Sequence, residues 1–550
     1  MWVLVGQNLR TMLHEARAGG IIGPTTIPTG PPVHTTGVSM AKPDRPNLVY
    51  IFTDQQRADT MAAYGNDWIE TPNLDQLADA SFVFKNAYVS SPICTPSRST
   101  QMTGLWPHTN GCIKNNIPLP DDVETLAEFF PDEYHTAYYG KWHLGDEVIK
   151  RRGWDEWHSI EDQYRGWHTK AEYDEVLSDY HHYLIGLGHE PDKDLRGKKV
   201  FSRPFAATLP EEQTKATYLG DRVGEFIGRN KDRPFAICIN FFEPHPPYAG
   251  PLDDMYDPGE LPQSPTFMVD PPENSAGMHR LMAEAQKTAL ADSGVGTADL
   301  FGRDLPPEEV SGEGPAVDTE EEFRRIQASY YGLVTLMDRG VGRILKALED
   351  AGIADRTIVV FTSEHGDQMG EHNIFQKVVM YEQSVKVPFL LRVPWLDGGM
   401  VAGRYSHIDT IPTLLELMGL EVPGHLQGAS RAGLLHDGGS LEDNDVIITW
   451  NGRSIDLTFP LTELERMREL PHRAVVTGDG WKLNLAVGDQ CELYDLNNDP
   501  YEQANLFDDA AYSDRVVEMA WKIRRWQIET GDVALIPDVY PGVGHVAGMR

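Results

Sequence analysis

Three short apolar segments, each followed by polar residues, constrain the fold of this chain more than any other feature. They cover residues 47–53, 235–241 and 357–362 and are rich in valine, isoleucine and phenylalanine. Near-continuous apolar runs of this length are typical of strands that are buried on both faces of a parallel sheet. Ligand sites in such α/β folds lie at the C-terminal ends of the strands. The pattern therefore predicts an α/β fold with a polar site at one sheet edge.

The polar residues at these strand ends suggest a metal site. Asp54 and Gln55 follow the first segment, and Glu364 and His365 follow the third. Carboxylate and amide oxygens favour Ca²⁺ or Mg²⁺, and an imidazole widens the choice to Mn²⁺. Taken alone, Asp54 is more often a turn residue or a helix cap. The metal hypothesis therefore depends on the strand ends lying together.

Composition narrows the class of partner. The chain has 550 residues, of which 41% are hydrophobic, so it can bury a large core and hold more than one domain. Its formal net charge is -35 and its pI is about 4.8, and such a surface repels nucleic-acid phosphates. We expect no nucleic acid as partner, and an anionic substrate would need a locally positive pocket.

The cysteines and the hydropathy pattern favour a cytoplasmic protein. Cysteines occur only at the widely spaced positions Cys94, Cys112, Cys238 and Cys491, which indicates neither a disulfide framework nor a zinc ribbon. The first forty residues do not resemble an export signal, and no run approaches the ~20 apolar residues that cross a bilayer. We therefore expect a reducing compartment and no membrane partner.

The remaining pattern divides the chain into three parts. Residues 1–44 lack periodicity and are predicted to be a disordered extension. Residues 45–440 are predicted to form the main α/β domain, with insertions near 153–199 and 251–315 and a core helix over 320–350. Residues 441–550 show short runs between Gly and Asp turns, which predict a small α+β subdomain with an antiparallel sheet and a covering helix. Within it, residues 446–450 are predicted to be one more strand of the main core.

The segment 94–104 could place a reactive group at a helix N-terminus. Pro96 suits the first turn of a helix and Gly104 can end it. Cys94 would lie just ahead of this helix, where free N–H groups favour an anion and lower the pKa of a thiol. Arg98, one turn later, would point back to the same place. For an isolated cysteine, the more common alternative is a buried structural residue beside a surface arginine.

A second polar segment follows a predicted strand near residues 135–137. Alternation along the strand would put Lys141 and His143 on one face, so that a cation and a titratable imidazole reach the same ligand. A solvated lysine and a structurally bonded histidine are an equally weighted alternative. Downstream, Lys377 lies close in sequence to Glu364 and His365.

Seven motifs in order resemble the type I, formylglycine-dependent sulfatases of the alkaline phosphatase superfamily. They are 54–57 (DQQR), 94–104 (CTPSRSTQMTG), 140–145 (GKWHLG), 243–248 (EPHPPY), 363–367 (SEHGD) extending to Lys377, 407–415 (HIDTIPTLL) and 493–500 (LYDLNNDP). The resemblance extends from about residue 47 to residue 506. It implies an alkaline phosphatase-like fold, with a large mixed, mostly parallel sheet flanked by helices and a small C-terminal α+β subdomain.

The resemblance also implies a mechanism. A formylglycine-generating maturation enzyme would oxidise Cys94, directed by the Cys-x-Pro-x-Arg pattern of Cys94, Pro96 and Arg98. In the hydrated aldehyde, one hydroxyl attacks sulfur and expels the alcohol, and the second then collapses to the aldehyde and ejects sulfate. The expected activity is that of an arylsulfatase-like sulfuric ester hydrolase acting on a small-molecule or saccharide sulfate ester.

Site roles follow position by position from the same resemblance. One divalent cation, with Ca²⁺ favoured over Mn²⁺ or Mg²⁺, would be held by Asp54, Gln55, Cys94, Glu364 and His365. Cys94 would be the precursor of the nucleophile, Arg98 would orient the site, and Lys141 would neutralise sulfate oxygens. His143 is the expected base. His245 and Lys377 are alternative proton donors to the leaving oxygen.

This chain departs from the common sulfatase pattern at the metal site. Gln55 and Glu364 stand where many sulfatases carry aspartate, and His365 stands where many carry asparagine. The Gln55 and His365 variants resemble the choline sulfatase and phosphonate monoester hydrolase branches. A phosphonate or phosphate ester hydrolase is therefore the first alternative function, and a non-catalytic sulfated-glycan binding protein is the second. The sequence does not decide whether the chain forms a homo-oligomer.

Overall fold

The computed structural model describes residues 41–161, 168–195, 198–291, 319–452 and 463–539. Most of the predicted extension at 1–44 and residues 292–315 of the second predicted insertion lie outside these ranges. Within the described residues, no helix is long and apolar enough to cross a membrane.

The strands are named in chain order. They are β1 (Asn47–Thr53), β2 (Phe82–Tyr88), β3 (His135–Gly140), β4 (Glu156–Ser159), β5 (Asp192–Leu195), β6 (Lys198–Phe201), β7 (Phe235–Asn240), β8 (Thr357–Ser363), β9 (Lys386–Val387), β10 (Phe389–Arg392), β11 (Gly399–Ser406), β12 (Val446–Trp450), β13 (His472–Val476), β14 (Trp481–Ala486) and β15 (Glu492–Asp495). The α-helices are α1 (Pro72–Asp79), α2 (Cys94–Thr103), α3 (Pro107–Asn110), α4 (Asp179–Gly186), α5 (Arg203–Ala207), α6 (Lys215–Asn230), α7 (Gly277–Ala291), α8 (Glu320–Asp350), α9 (Glu382–Val385), α10 (Thr410–Met418), α11 (Ala432–Asp437), α12 (Glu463–Arg468) and α13 (Ser513–Thr530).

A nine-stranded mixed sheet forms the centre of the described structure. Its order is β11-β2-β10-β8-β1-β7-β3-β4, and β9 pairs with β2. Strands β8, β1, β7, β3 and β4 are mutually parallel, whereas β10 runs antiparallel between β8 and β2. The predicted mixed, mostly parallel sheet is confirmed. In register, Asn240 of β7 lies beside both Phe52 of β1 and Gly140 of β3, so these strands end at one edge.

Alternate residues of β1 belong to two hydrophobic clusters, one on each face of the sheet. Tyr50 lies in the cluster that includes Met102 of α2, and Ile51 lies in the cluster that includes Phe226 of α6 and Val334 of α8. Every residue of β1 is buried. The sheet is therefore covered by helices on both faces, which explains why β1 has no alternating polar pattern.

Helix α8 has the predicted bounds because its sequence carries a start signal and a continuous apolar face. The side chain of Thr319 accepts a hydrogen bond from the N–H of Glu322, and Glu320 and Glu321 complement the positive end of the dipole in the first turn. Buried residues at helical spacing, such as Ile326 and Val334, then face the sheet.

A four-stranded antiparallel sheet forms the C-terminal region, in the order β12-β13-β14-β15. Met519 and Ile523 of α13 share a hydrophobic cluster with Val475, Leu483 and Leu493 of the sheet. The predicted C-terminal α+β region with a covering helix is confirmed, while the division at residue 440 stays a prediction.

Two strands lie in sheets other than those expected. Residues 446–450 form β12, which pairs with β13 in the C-terminal sheet and does not extend the main core. Conversely, β4 belongs to the predicted insertion at 153–199 but pairs with β3 as an edge strand of the main sheet. Both differences arise because a short apolar run does not specify its partner strand.

Buried histidines predict a loss of stability in acid. Burial lowers the pKa of His407 to about 3, and burial, partly offset by a hydrogen bond with Tyr501, lowers the pKa of His372 to about 4. An unfolded histidine titrates near 6.5, so only the unfolded state binds these protons as the pH falls from about 6.5 to about 4. We expect the free energy of unfolding to fall over this window, measured by thermal unfolding at several pH values. The fall should be smaller in His407→Gln, and a flat profile would contradict the assignment.

Candidate active site

Helix α2 places Cys94 at the edge where the central strands end. The first intrahelical bond runs from the N–H of Ser97 to the carbonyl of Ile93 at 3.1 Å, so the helix begins at Cys94 itself. The expectation that Cys94 lies ahead of the helix is therefore wrong by one position. Pro96 fits the first turn because no amide donor is needed there. Gly104 ends the helix with a φ of 67°, as predicted.

Four buried side chains form a candidate metal cluster. Asp54, Cys94, Glu364 and His365 place one potential ligand atom each within 4.8 Å of one another. Among the described residues, Oδ1 of Asp54 has no hydrogen-bond partner. His365 Nε2 lies 3.0 Å from Oε1 of Glu364 and 3.4 Å from the Cys94 sulfur.

The electrostatics of this cluster fit a cation. Burial and Lys377 act to lower the pKa of His365, but Cys94 and Glu364 raise it to about 9, so these negative groups favour a positive charge on the imidazole. Two buried carboxylates that face each other are costly unless they are neutralised. The carboxylate oxygens of Asp54 and Glu364 are donors that a hard divalent cation prefers, and the imidazole of His365 widens the choice to Mn²⁺.

Arg98 is fully buried and joins the strand ends around Cys94. Its Nη1 donates to the carbonyl of Lys141 at 2.6 Å and to Oδ1 of Asn240 at 2.7 Å. It also forms ion pairs with Asp54, at 3.3 Å, and with Glu364. Burial would lower the pKa of Arg98, but these two carboxylates raise it overall. The alternative of a surface arginine is excluded.

Lys141 reaches the same cluster from the end of β3. Its Nζ donates to Oδ2 of Asp54 at 2.5 Å, and the side chain is fully buried. The strand ends at Gly140, so alternation along a strand does not set its direction, contrary to expectation. Gly140 has a φ of 124°, and a Cβ there would lie 2.0 Å from the carbonyl oxygen of Asn240. Only glycine allows this close approach.

His143 lies in a tight turn beyond Lys141. Its φ is 54°, and its N–H donates to Glu147 at 2.5 Å. Its Nε2 lies 2.9 Å from Oδ1 of Asn116. Burial, followed by Lys141 and Arg98, lowers the pKa of His143 well below its usual value. The ring is therefore neutral and able to accept a proton.

Gln55 and Lys377 form a neighbouring pair. Lys377 Nζ donates to Oε1 of Gln55 at 2.5 Å, and the Gln55 amide donates to the hydroxyl of Tyr248 at 2.9 Å and to Asp367. The amide thus bridges Lys377 and Asp367 beside the metal cluster. Its oxygen keeps one further lone pair, and metal ligation by Gln55 stays a prediction.

His245 lies half-buried in the loop that follows β7. Its Nδ1 lies 2.7 Å from the carbonyl oxygen of Pro246. Burial lowers the pKa of His245 well below its usual value, and Lys377 lowers it further. The ring is neutral at neutral pH, so its readiness to donate a proton is reduced.

Sequence reasoning missed several partners of these side chains. Asn240 anchors Arg98, Asn116 contacts His143, and Glu147 accepts from the backbone N–H groups of Trp142 and His143. The sequence could have indicated Asn240, because it is a polar residue that interrupts an apolar strand. It could not have indicated Asn116 or Glu147, because their contacts depend on the conformation of loops.

The matching family is clear. A family profile described as Sulfatase matches residues 46–420, which is more than half of the chain. The chain belongs to the sulfatase family. A second profile, described as N-sulphoglucosamine sulphohydrolase, C-terminal, matches residues 370–529. The sulfatase is therefore a sulfuric ester hydrolase of the alkaline phosphatase superfamily, which favours an enzyme over a glycan-binding protein.

The chain is similar to individual proteins over most of its length. The sulfatase is 28% identical to the ulvan-active sulfatase of Formosa agariphila, over 91% of this chain and 84% of that protein. Its structure resembles that of a protein solved in complex with its substrate D-glucosamine-2-N,6-O-disulfate, with a TM-score of 0.68, 24% identity and coverage of 89% and 99%. It also resembles the phosphonate monoester hydrolase from Silicibacter pomeroyi, with a TM-score of 0.69, 21% identity and coverage of 89% and 97%. These two structural likenesses confirm the predicted fold.

Proposed function

We propose that this sulfatase cleaves a saccharide sulfate ester with a formylglycine made from Cys94 and one divalent cation. The observation that carries the proposal is the buried convergence of Asp54, Cys94, Glu364 and His365 within 4.8 Å. A formylglycine-generating enzyme would be the required maturation partner. The hydrated aldehyde would supply the oxygen nucleophile that a thiol at this position lacks.

Asp54, Glu364, His365 and residue 94 would hold the cation, with Gln55 as a further candidate ligand. We propose Ca²⁺, because carboxylate oxygens dominate the donor set, with Mn²⁺ or Mg²⁺ as alternatives. When bound, the cation supplies a Lewis acid that polarises the sulfate and lowers the pKa of the attacking hydroxyl.

Arg98 and Lys141 supply the positive charge that the protein itself brings to the reacting group. Both are fully buried and both contact Asp54, so their positions are fixed before substrate binds. Cations held in a water-excluded site stabilise the charge on transferring oxygens without reorganising. We assign Lys141 to the sulfate oxygens and Arg98 to the orientation of residue 94.

We assign the two proton transfers of the reaction to His143, as the base, and Lys377, as the acid. The neutral ring of His143 can take the hydroxyl proton of residue 94 when sulfate leaves. The low pKa of His245 disfavours it as the acid for the leaving alcohol. Lys377, the cation held by Gln55, is therefore the better proton donor of the two candidates.

The choice of ester is tested by substrate comparison. We expect faster turnover of nitrophenyl sulfate than of a nitrophenyl phosphonate, because the profile that matches most of the chain is that of the sulfatases. The phosphonate alternative is favoured by Gln55 and His365, which resemble that branch. Kinetics with both esters, followed by a panel of sulfated sugars, aryl sulfates and choline sulfate, would decide between them. Faster phosphonate cleavage, or no turnover of any saccharide sulfate, would contradict the proposal.

We also propose a cytoplasmic location. All four cysteines are free and buried, which suits a reducing compartment. Cell fractionation with an antibody against the chain tests this location.

A further inference from the structure

We propose that Thr95 and Asn116 are positioning residues that hold the His143 imidazole in a fixed place relative to residue 94, with its Nδ1 as the proton acceptor. The inference rests on the proposed function, which gives residue 94 and His143 their roles. It concerns two side chains whose identities the Cys-x-Pro-x-Arg pattern does not specify.

The three residues form a closed ring of hydrogen bonds. The hydroxyl of Thr95 donates to the carbonyl of His143 at 2.9 Å, and the N–H of Asn116 donates back to the same hydroxyl at 3.2 Å. The side-chain oxygen of Asn116 then meets Nε2 of His143 at 2.9 Å. One hydroxyl therefore links the candidate base to the residue directly after Cys94.

A second contact fixes this ring to the start of α2. The N–H of Thr95 donates to Oδ1 of Asn115 at 3.0 Å, and Thr95 is fully buried. The loop that carries Asn115 and Asn116 is thereby tied to the first turn of the helix that carries Cys94. A movement of this loop would displace the imidazole relative to residue 94.

The hydrogen-bonded ring of Thr95, Asn116 and His143 also determines the tautomer of the His143 imidazole. An amide oxygen only accepts hydrogen bonds, so Nε2 of His143 carries the hydrogen in the contact with Asn116. In a neutral imidazole the other nitrogen, Nδ1, then holds the lone pair. The proton taken from residue 94 would be received at Nδ1, and Asn116 would keep accepting from Nε2 throughout.

Backbone geometry supports a positioning role. His143 has a φ of 54° and Asn116 has a φ of 60°, both in the left-handed region. Asparagine and histidine enter this region more often than most residues, but it is sparsely populated for any side chain other than glycine and persists where surrounding contacts impose it. The hydrogen bonds among Thr95, Asn116 and His143 supply such contacts to both of these residues.

Kinetics of Asn116→Leu test the proposal. General base catalysis contributes about 10²–10⁴-fold, so a misplaced base should lower kcat by about 10²-fold. Because His143 acts after the alcohol has left, kcat/KM should change little and KM should fall with kcat. Mass analysis of the peptide that contains residue 94 should then show accumulation of the sulfated form. An unchanged kcat, or equal losses in kcat and kcat/KM, would overturn the inference.

Two further variants separate positioning from a structural effect. Asn116→Asp keeps an acceptor for Nε2 and should retain most of the kcat that Asn116→Leu loses, and equal losses would overturn the tautomer assignment. Thr95→Val removes the linking hydroxyl and should reproduce the kcat defect of Asn116→Leu, whereas wild-type kcat would overturn its role. Thermal unfolding and the extent of formylglycine conversion are measured for each variant.

A double-mutant cycle distinguishes this inference from the proposed function. In a His143→Ala background, Asn116→Leu should cause no further loss of kcat, because it acts only through His143. An additive loss would overturn the inference while leaving the function intact. Full activity of His143→Ala, or absence of formylglycine in the wild type, would instead contradict the proposed function.

Discussion

Replacing Cys94 with alanine is expected to abolish sulfate ester hydrolysis while leaving the protein folded. Loss of a covalent nucleophile lowers kcat by roughly 10⁶-fold in well-studied hydrolases. Cys94 is 2% exposed and packs at the start of α2, so removing its sulfur should cost only about 1 kcal/mol of folding free energy. Steady-state kinetics with nitrophenyl sulfate and thermal unfolding measure the two effects separately.

Cys238→Ala is the matched control. Cys238 is equally buried, but it lies in the middle of β7, outside the metal cluster. Its loss should reduce stability slightly and leave kcat unchanged. Peptide mass analysis of wild-type protein made with a competent maturation system should show formylglycine at position 94. Retained turnover in Cys94→Ala, or only free thiol in the wild type, would contradict the assigned nucleophile.

The core elements could be predicted because local pattern determines them. Strand β1 and helix α8 have the expected bounds, since a doubly buried apolar run and a capped, amphipathic run are unambiguous. The sequence instead predicts an insertion where β4 forms an edge strand of the main sheet, and a strand of the main core where β12 joins the C-terminal sheet. Sheet membership depends on contacts between residues far apart in sequence, and a four- or five-residue run carries no information about them.

The site was predictable to the extent that strand ends define it. Asp54, Glu364 and His365 follow strands that the structure places side by side, and Cys94 reaches them from α2. The orientation of Gln55 toward Lys377 could not be foreseen, because it depends on the conformation of the 366–377 loop. The hydrogen-bonded ring of Thr95, Asn116 and His143 likewise depends on positive φ angles at Asn116 and His143, which no sequence motif predicts.

Asp54→Asn is expected to prevent cation binding and thereby activity. The substitution keeps the shape of the side chain but removes the charge that offsets Lys141, at 2.5 Å, and Arg98, at 3.3 Å. Two buried cations would then face only the carboxylate of Glu364, and an added divalent cation would be repelled. Loss of a residue that only hydrogen-bonds to a metal ligand lowers metal affinity or activity by about 10–100-fold. We expect a larger loss here.

Asp338→Asn is the control for folding. Asp338 is also a buried aspartate, but it accepts from the N–H of Leu74 at 2.7 Å and stabilises the start of α1, outside the metal cluster. Both variants should lose some stability, yet only Asp54→Asn should lose the bound metal measured by elemental analysis after dialysis. Added Ca²⁺ should raise the thermal midpoint of the wild type and of Asp338→Asn, because a ligand that binds only the folded state stabilises it. If Asp54→Asn kept one cation per chain, Asp54 would not be required for cation binding, which would contradict its assignment as a ligand.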